Sequence, residues 1–121
     1  MRTRPDEIET IDVAGHEIHL DEHGFLFDPQ EWNESVGLEI ARRVGVEMTE
    51  EHWDVVRFMR TFLAEHGVAA DARFVMRFLD ARASERNMSG KDLLFRLFPY
   101  GYVGQACKIA GMRQPRAWST G

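Results

Sequence analysis

Apolar side chains alternate with polar ones on both sides of Ala14-Gly15, and this pattern predicts a β-hairpin over residues 11–27. Glycine tolerates the positive φ that a tight hairpin turn needs. The polar run at residues 21–24 predicts a second turn, after which Phe25-Leu26-Phe27 returns to the core. The chain therefore begins with a small antiparallel sheet.

Beyond residue 28, apolar positions recur at helical spacing and predict about five helices. The second is apolar on several faces, so we expect it to be the central helix with Trp53 and Phe58 largely buried. In the third, Phe74 and Phe78 are expected to point inward. The predicted helices span about residues 29–44, 49–66, 71–84, 89–98 and 102–111.

The predicted fold class is mostly α, with the N-terminal hairpin packed on the bundle of about five helices. Residues 1–111 form a single domain in this prediction. Residues 112–121 lack apolar periodicity and are predicted to form a flexible C-terminal arm.

The composition is typical of a globular domain, because 44% of the 121 residues are hydrophobic and 29% are charged. No apolar run approaches 18 residues, so no membrane-spanning helix is predicted. The polar start of the chain shows no signal-peptide pattern. A single cysteine excludes an internal disulfide, and we therefore expect a cytoplasmic location.

The net charge of −5 is distributed unevenly. Residues 1–66 contain 6 Lys+Arg against 16 Asp+Glu, a net −10, whereas residues 67–121 contain 9 against 4, a net +5. The two halves can simply attract each other within one domain. Alternatively, the C-terminal half forms a basic surface for an anionic ligand, an acidic protein or a nucleic acid.

The one cysteine, Cys107, lies in the small-residue helix that precedes the arm. It can be a buried small hydrophobic residue, a role that cysteine often fills. It can also be a partly exposed, sulfur-reactive thiol under the arm, with its pKa lowered by Lys108, Arg113 or Arg116. The sequence alone leaves both interpretations open.

The C-terminal segment resembles the late signature of the DsrC/TusE family, which comprises gamma-subunit-like proteins of dissimilatory sulfite reductase and sulfur-relay carriers of tRNA thiolation. Further resemblance lies in residues 51–58 and in the hairpin region, so it covers nearly the whole chain. The late matches are Leu97, Phe98, Pro99, Gly101, Gln105, Ile109, Ala110, Gly111 and Pro115.

At one important position the chain differs from the family that it resembles. The family carries sulfur on a cysteine three residues after the last proline, and that position is Trp118 here. Cys107 corresponds to the second family cysteine. The family likeness thus implies a sulfur-trafficking or sulfur-regulatory protein without the C-terminal persulfide site. Such a protein would act by binding, not by turnover.

The implied partners are sulfurtransferases or sulfite-reductase-type proteins. Lys108, Arg113, Arg116 and Trp118 are the candidate partner-binding residues. Tryptophan on a basic arm suits an interface anchor, although it can equally be a surface aromatic at a frayed end. Neither a cofactor nor a metal is predicted, because the histidines and the lone cysteine lack zinc-site spacing.

Two alternatives remain. The protein can be a single-thiol sulfur carrier that uses Cys107. It can also be a DNA-binding regulator in which the fourth and fifth helices form a helix-turn-helix. Tyr102, Gln105 and Lys108 would then lie on the recognition helix.

Overall fold

The computed structural model describes residues 8–114 and confirms the predicted hairpin. Strands β1 (Glu9–Val13) and β2 (His16–Leu20) pair antiparallel, with Ile11 opposite Ile18. The turn residue Ala14 and its neighbour Gly15 have φ values of 52° and 85°, as a two-residue hairpin turn requires. The buried faces of the hairpin pack on the helices.

The predicted single helix over residues 29–44 is wrong, because two elements occupy this stretch. A 3₁₀ turn, Pro29–Glu31, is followed by helix α1, Glu34–Val44. Asn33 begins α1 by accepting a hydrogen bond from the Val36 N–H at 2.9 Å. Trp32 has extended backbone at the break.

The next two helices agree with the predicted boundaries. Helix α2 spans Glu50–His66 and helix α3 spans Ala72–Ser84. The buried positions of α2 lie on one face. Trp53 and Phe58 are not fully buried, but they are more buried than exposed and pack against the core, in agreement with the expectation.

On α3, Phe74 is 40% exposed, which corrects its predicted inward position. Its ring instead lies 5.0 Å from the ring of Phe62 on α2. Phe27, expected to return to the core after the second turn, is also exposed, whereas Phe25 and Leu26 are buried.

Helix α4, Gly90–Leu97, packs most closely on α3. The apolar residues Leu93, Leu94 and Phe98 are fully buried, as the helical pattern predicts. The chain then turns through residues 99–101 into a wide π-helical stretch, Tyr102–Cys107, which continues as α-helix through residues 108–109. We call residues 102–109 the final helix.

One histidine fixes α2 against the end of α4. His52 is buried, and its Nε2 donates to the Leu97 carbonyl at 2.8 Å. Its Nδ1 accepts the Thr49 backbone N–H at 3.1 Å and completes the capping box of α2. The His52 ring also lies edge-on to Phe98, with centroids 5.1 Å apart. A single side chain thus sets where the turn into the final helix begins.

The core runs through the whole described chain, and α1 contacts both β1 and the final helix. The largest fully buried side chains of the core include Phe98, Leu26, Ile40, Met59, Leu79, Ile109 and Met112. Within residues 8–114, no helix combines the length and the apolar character needed to cross a membrane.

Candidate functional site: the buried thiol and the end of the final helix

Cys107 is buried at the end of the π-helical stretch, with only 1% of its surface exposed. The Tyr102 hydroxyl donates to the Ala70 carbonyl and is also hydrogen-bonded with the thiol. The sulfur is therefore held in a dry, hydrogen-bonded position.

This environment suppresses the reactive form of the thiol. Burial raises the pKa of Cys107 from 9.0 to about 12, and the hydrogen bond with Tyr102 opposes this rise only in part. The expectation of a partly exposed thiol with a lowered pKa is thus wrong for the described conformation, because desolvation disfavours the thiolate. The interpretation of Cys107 as a buried small residue is the one that fits.

The described basic residues that were expected to lower the pKa of the thiol do not act on it. The Lys108 ammonium lies 5.1 Å from the Phe25 ring centre, against the end of the hairpin. Arg113 is exposed. Neither contributes to the pKa shift of Cys107. The other two candidates, Arg116 and Trp118, lie outside the described residues.

A cavity of about 1090 Å³ has Cys107 among its lining residues. Its rim carries charges of both signs, including Asp28, Asp71, Arg73 and Arg113. Its apolar lining includes Pro29, Leu63, Ala70, Tyr102, Cys107 and Met112. The structure thus joins Cys107 and Arg113 at one concave surface.

The final helix ends in a Schellman motif that begins at the Cys107 carbonyl. Gly111 adopts φ +77°, its N–H donates to the Lys108 carbonyl at 3.1 Å, and the Met112 N–H donates to the Cys107 carbonyl at 3.0 Å. Met112 is 1% exposed, so the packed part of the chain extends into the segment predicted as the arm. Cys107 and Met112 therefore share one buried wall of the cavity.

Two residues distant in sequence cap the same helix end. The Trp32 Nε1–H donates to the Ile109 carbonyl at 2.8 Å. Arg60 donates to the Ala110 carbonyl and to the Pro29 carbonyl, both at 3.1 Å, and its guanidinium lies 4.7 Å from the Trp32 ring centre. Sequence reasoning missed this pair, because no local spacing shows which carbonyls a distant donor will reach.

We predict that Gly111→Ala destabilises the fold more than Gly45→Ala. Both glycines follow a helix at similar φ, +77° and +82°, so both variants incur the same left-handed strain of about 1 kcal/mol. A Cβ at Gly111 would lie 2.4 Å from the Trp32 ring, whereas a Cβ at Gly45 meets nothing within 4 Å. Overpacking brings the expected loss for Gly111→Ala to roughly 2–4 kcal/mol, measured by urea unfolding. Equal losses would show that Trp32 yields freely.

The recognition-helix interpretation is wrong. Gln105 is 2% exposed, its Nε2 donates to the Val44 carbonyl at 2.9 Å, and its Oε1 accepts the Tyr100 N–H at 3.0 Å. Tyr102 is also buried, and Lys108 packs over Phe25. These side chains hold the turn and the helix in place and are not available to DNA bases.

A family model described as "DsrC like protein" matches residues 12–117 of this chain. The chain belongs to the DsrC-like family. This confirms the resemblance drawn from the C-terminal motifs, and the structure shows why some of those motif residues are needed. In this DsrC-like chain, Gln105 fixes the turn before the final helix, and Gly111 makes room for Trp32.

The curated relatives of this DsrC-like chain include proteins described as sulfurtransferase TusE. The relative from Sodalis glossinidius is 39% identical over 105 residues, covering 87% of this chain and 96% of its own length. The relative from Escherichia coli K12 is 36% identical over 101 residues, covering 84% and 92%.

Solved structures confirm the predicted fold. The oxidized gamma-subunit of dissimilatory sulfite reductase (DsrC) from Archaeoglobus fulgidus matches with a TM-score of 0.80 at 32% identity. That match covers 90% of this chain and 98% of the other. DsrC from Allochromatium vinosum matches with a TM-score of 0.70 at 34% identity, covering 91% and 97%.

Proposed function

We propose that this protein is a cytoplasmic sulfur-trafficking or sulfur-regulatory protein that docks on sulfurtransferase or sulfite-reductase-type partners. Membership of the DsrC-like family supports the sulfur-related role, since relatives carry the names sulfurtransferase TusE and gamma-subunit of dissimilatory sulfite reductase. In this proposal the protein modulates transfer by occupying docking sites, and it does not itself turn over a substrate.

The observation that carries the proposal is the placement of the one sulfur nucleophile. Position 118 is tryptophan, and the single cysteine of the chain is buried with a raised pKa. A persulfide forms only on a sulfur atom, and an intramolecular disulfide needs two. The protein therefore has no thiol at the C-terminal carrier position and keeps its remaining thiol in the unreactive form.

Exposed features around the final helix support docking. Tyr100, at the tip of the turn before the final helix, is 82% exposed, while its backbone N–H is fixed by Gln105. A large aromatic side chain on a fixed turn suits an interface anchor. We assign partner contacts to Tyr100 together with Lys108, Arg113, Arg116 and Trp118.

A second candidate function is a single-thiol carrier, which the cavity at Cys107 favours. In that reaction the Cys107 thiolate attacks the outer sulfur of a donor persulfide. The S–S bond of the donor breaks, Cys107 gains one sulfur as a persulfide, and the donor leaves as a thiolate. The step is redox-neutral and requires the thiol to become exposed first.

Sulfur loading measured by intact mass spectrometry distinguishes the two functions. We expect the wild-type protein to gain little sulfur from a persulfide donor and to pass none to an acceptor. Trp118→Cys should load efficiently, because it places an accessible thiol at the carrier position. Trp118→Ser, which removes the ring without adding sulfur, is the matched control.

The Cys107→Ala variant tests whether Cys107 is itself the sulfur carrier. If the wild-type protein loads and transfers sulfur and Cys107→Ala abolishes both, Cys107 is the carrier and the regulatory proposal is wrong. If Trp118→Cys fails to load while remaining folded, the arm is not a substitute for the family's carrier arm.

A further inference from the structure

The end of the final helix is unusual in that the four backbone carbonyls of residues 107–110, the last of which directly follows the helix, all have a specific partner. Helix ends normally leave these four acceptors without intrahelical donors. Two are satisfied locally by the Schellman motif and two by side chains from earlier in the chain. The donors are Met112 N–H to Cys107, Gly111 N–H to Lys108, Trp32 Nε1–H to Ile109 and Arg60 Nη1–H to Ala110.

Arg60 is well suited to hold this helix end. Its side chain is partly buried, and burial lowers the pKa of its guanidinium. Its charged hydrogen bonds go to the carbonyls of Ala110 and Pro29, so its cation faces the negative end of the final helix. Hydrogen bonds from a charged donor are stronger than neutral ones.

The capped carbonyls and Cys107 lie within one turn of backbone. Ala110 lies directly before Gly111, whose positive φ directs Met112 back onto Cys107. If Ala110 and Ile109 lose their donors, the Schellman turn is no longer fixed in place. We then expect Met112 to leave the cavity lining that it shares with Cys107, which would open a path from the cavity to this buried residue.

We propose that Arg60, together with Trp32, is a positioning residue that keeps the helix end closed over Cys107 and thereby sets how often the thiol becomes accessible. This inference deepens the proposed function, on which it rests for its biological meaning. Arg60 contacts neither the sulfur nor any reacting group. It acts through the backbone of the final helix, and its removal should open the thiol locally, without general unfolding.

The test is the rate of Cys107 alkylation by iodoacetamide as a function of urea concentration in the full-length protein. Local opening gives a rate nearly independent of urea, whereas global unfolding gives a rate that rises steeply with urea. For Arg60→Gln we expect the low-urea rate to rise about ten- to hundredfold above wild type, as the loss of charged hydrogen bonds requires. Arg60→Lys, which keeps the cation, should lie between the two.

Arg57→Gln is the matched control, because Arg57 lies one turn earlier on α2 and makes surface ion pairs with Asp54 and Glu34. It should leave the low-urea rate unchanged. Trp32→Phe keeps an aromatic ring and removes the Nε1–H donor, so it should raise the rate in the same way and stays informative if Arg60→Gln folds poorly.

The inference is overturned if alkylation of Arg60→Gln and Trp32→Phe rises only in proportion to their loss of global stability. Arg60 would then be a general stabiliser of the fold. Sulfur loading is a separate measurement. A wild-type protein that loads and transfers sulfur through Cys107 contradicts the regulatory function, yet the alkylation comparison still decides what Arg60 does.

Discussion

Replacing Gly90 with alanine should cost more than about 4 kcal/mol of stability or prevent folding altogether, because α3 and α4 touch backbone to backbone at this residue. A Cβ at Gly90 would lie 1.9 Å from the Met76 carbonyl oxygen and 2.5 Å from Asp80 Oδ1. A carbonyl within a helix cannot rotate away, so the two helices would have to separate. The free energy of unfolding in urea, or the loss of helical circular dichroism, measures the effect.

Gly104→Ala is the control for this prediction. Gly104 also lies in a helix, but a Cβ there meets nothing within 4 Å. We expect this variant to be neutral or stabilising by up to about 1 kcal/mol, since alanine favours helix more than glycine does. If Gly90→Ala were as stable as Gly104→Ala, the close approach of α3 and α4 would not exist in solution.

The thiol should be almost inert in the folded protein at neutral pH. A pKa of about 12, against the ordinary 9.0, lowers the thiolate fraction about a thousandfold, and burial adds a steric barrier. We therefore expect iodoacetamide to modify native Cys107 at pH 7.5 at least about a thousandfold more slowly than the urea-unfolded chain. Similar rates in the two states would show that the thiol is exposed.

The same shift makes a prediction about stability at high pH. Because the folded-state pKa lies above the unfolded value, keeping the thiol neutral stabilises the folded protein below pH 9. That contribution is lost as the pH rises from 9 towards 12. The stability difference between wild type and Cys107→Ala should therefore shrink over this range, and a constant difference would contradict the buried position.

Local patterns predicted most of the elements correctly. The Ala14-Gly15 turn and the extents of α2, α3 and α4 depend on neighbours within a few residues, and all agree with the structure. The break at Trp32 escaped prediction because its cause lies far away, in the hydrogen bond to Ile109. Tertiary contacts routinely override local preference in this way.

For the candidate site as well, the sequence predicted local features correctly and long-range ones incorrectly. The motif located Cys107 and Gln105, but residue types alone gave the wrong electrostatics for the thiol, because sequence neighbours are not spatial neighbours. Lys108 follows Cys107 directly and still points to Phe25. Charged residues near Cys107 in the sequence therefore did not predict the pKa of its thiol, which is set mainly by burial.

The span of the contacts that close the final helix has a consequence for folding kinetics. The Trp32–Ile109 hydrogen bond joins residues 77 apart, and the Arg60–Ala110 bond joins residues 50 apart. Contacts of such separation carry a large loop-closure entropy and form slowly compared with the hairpin or a single helix turn. Protection of Cys107 should therefore be among the last events of refolding, and pulse labelling of this thiol would report when Trp32 and Arg60 reach the end of the final helix.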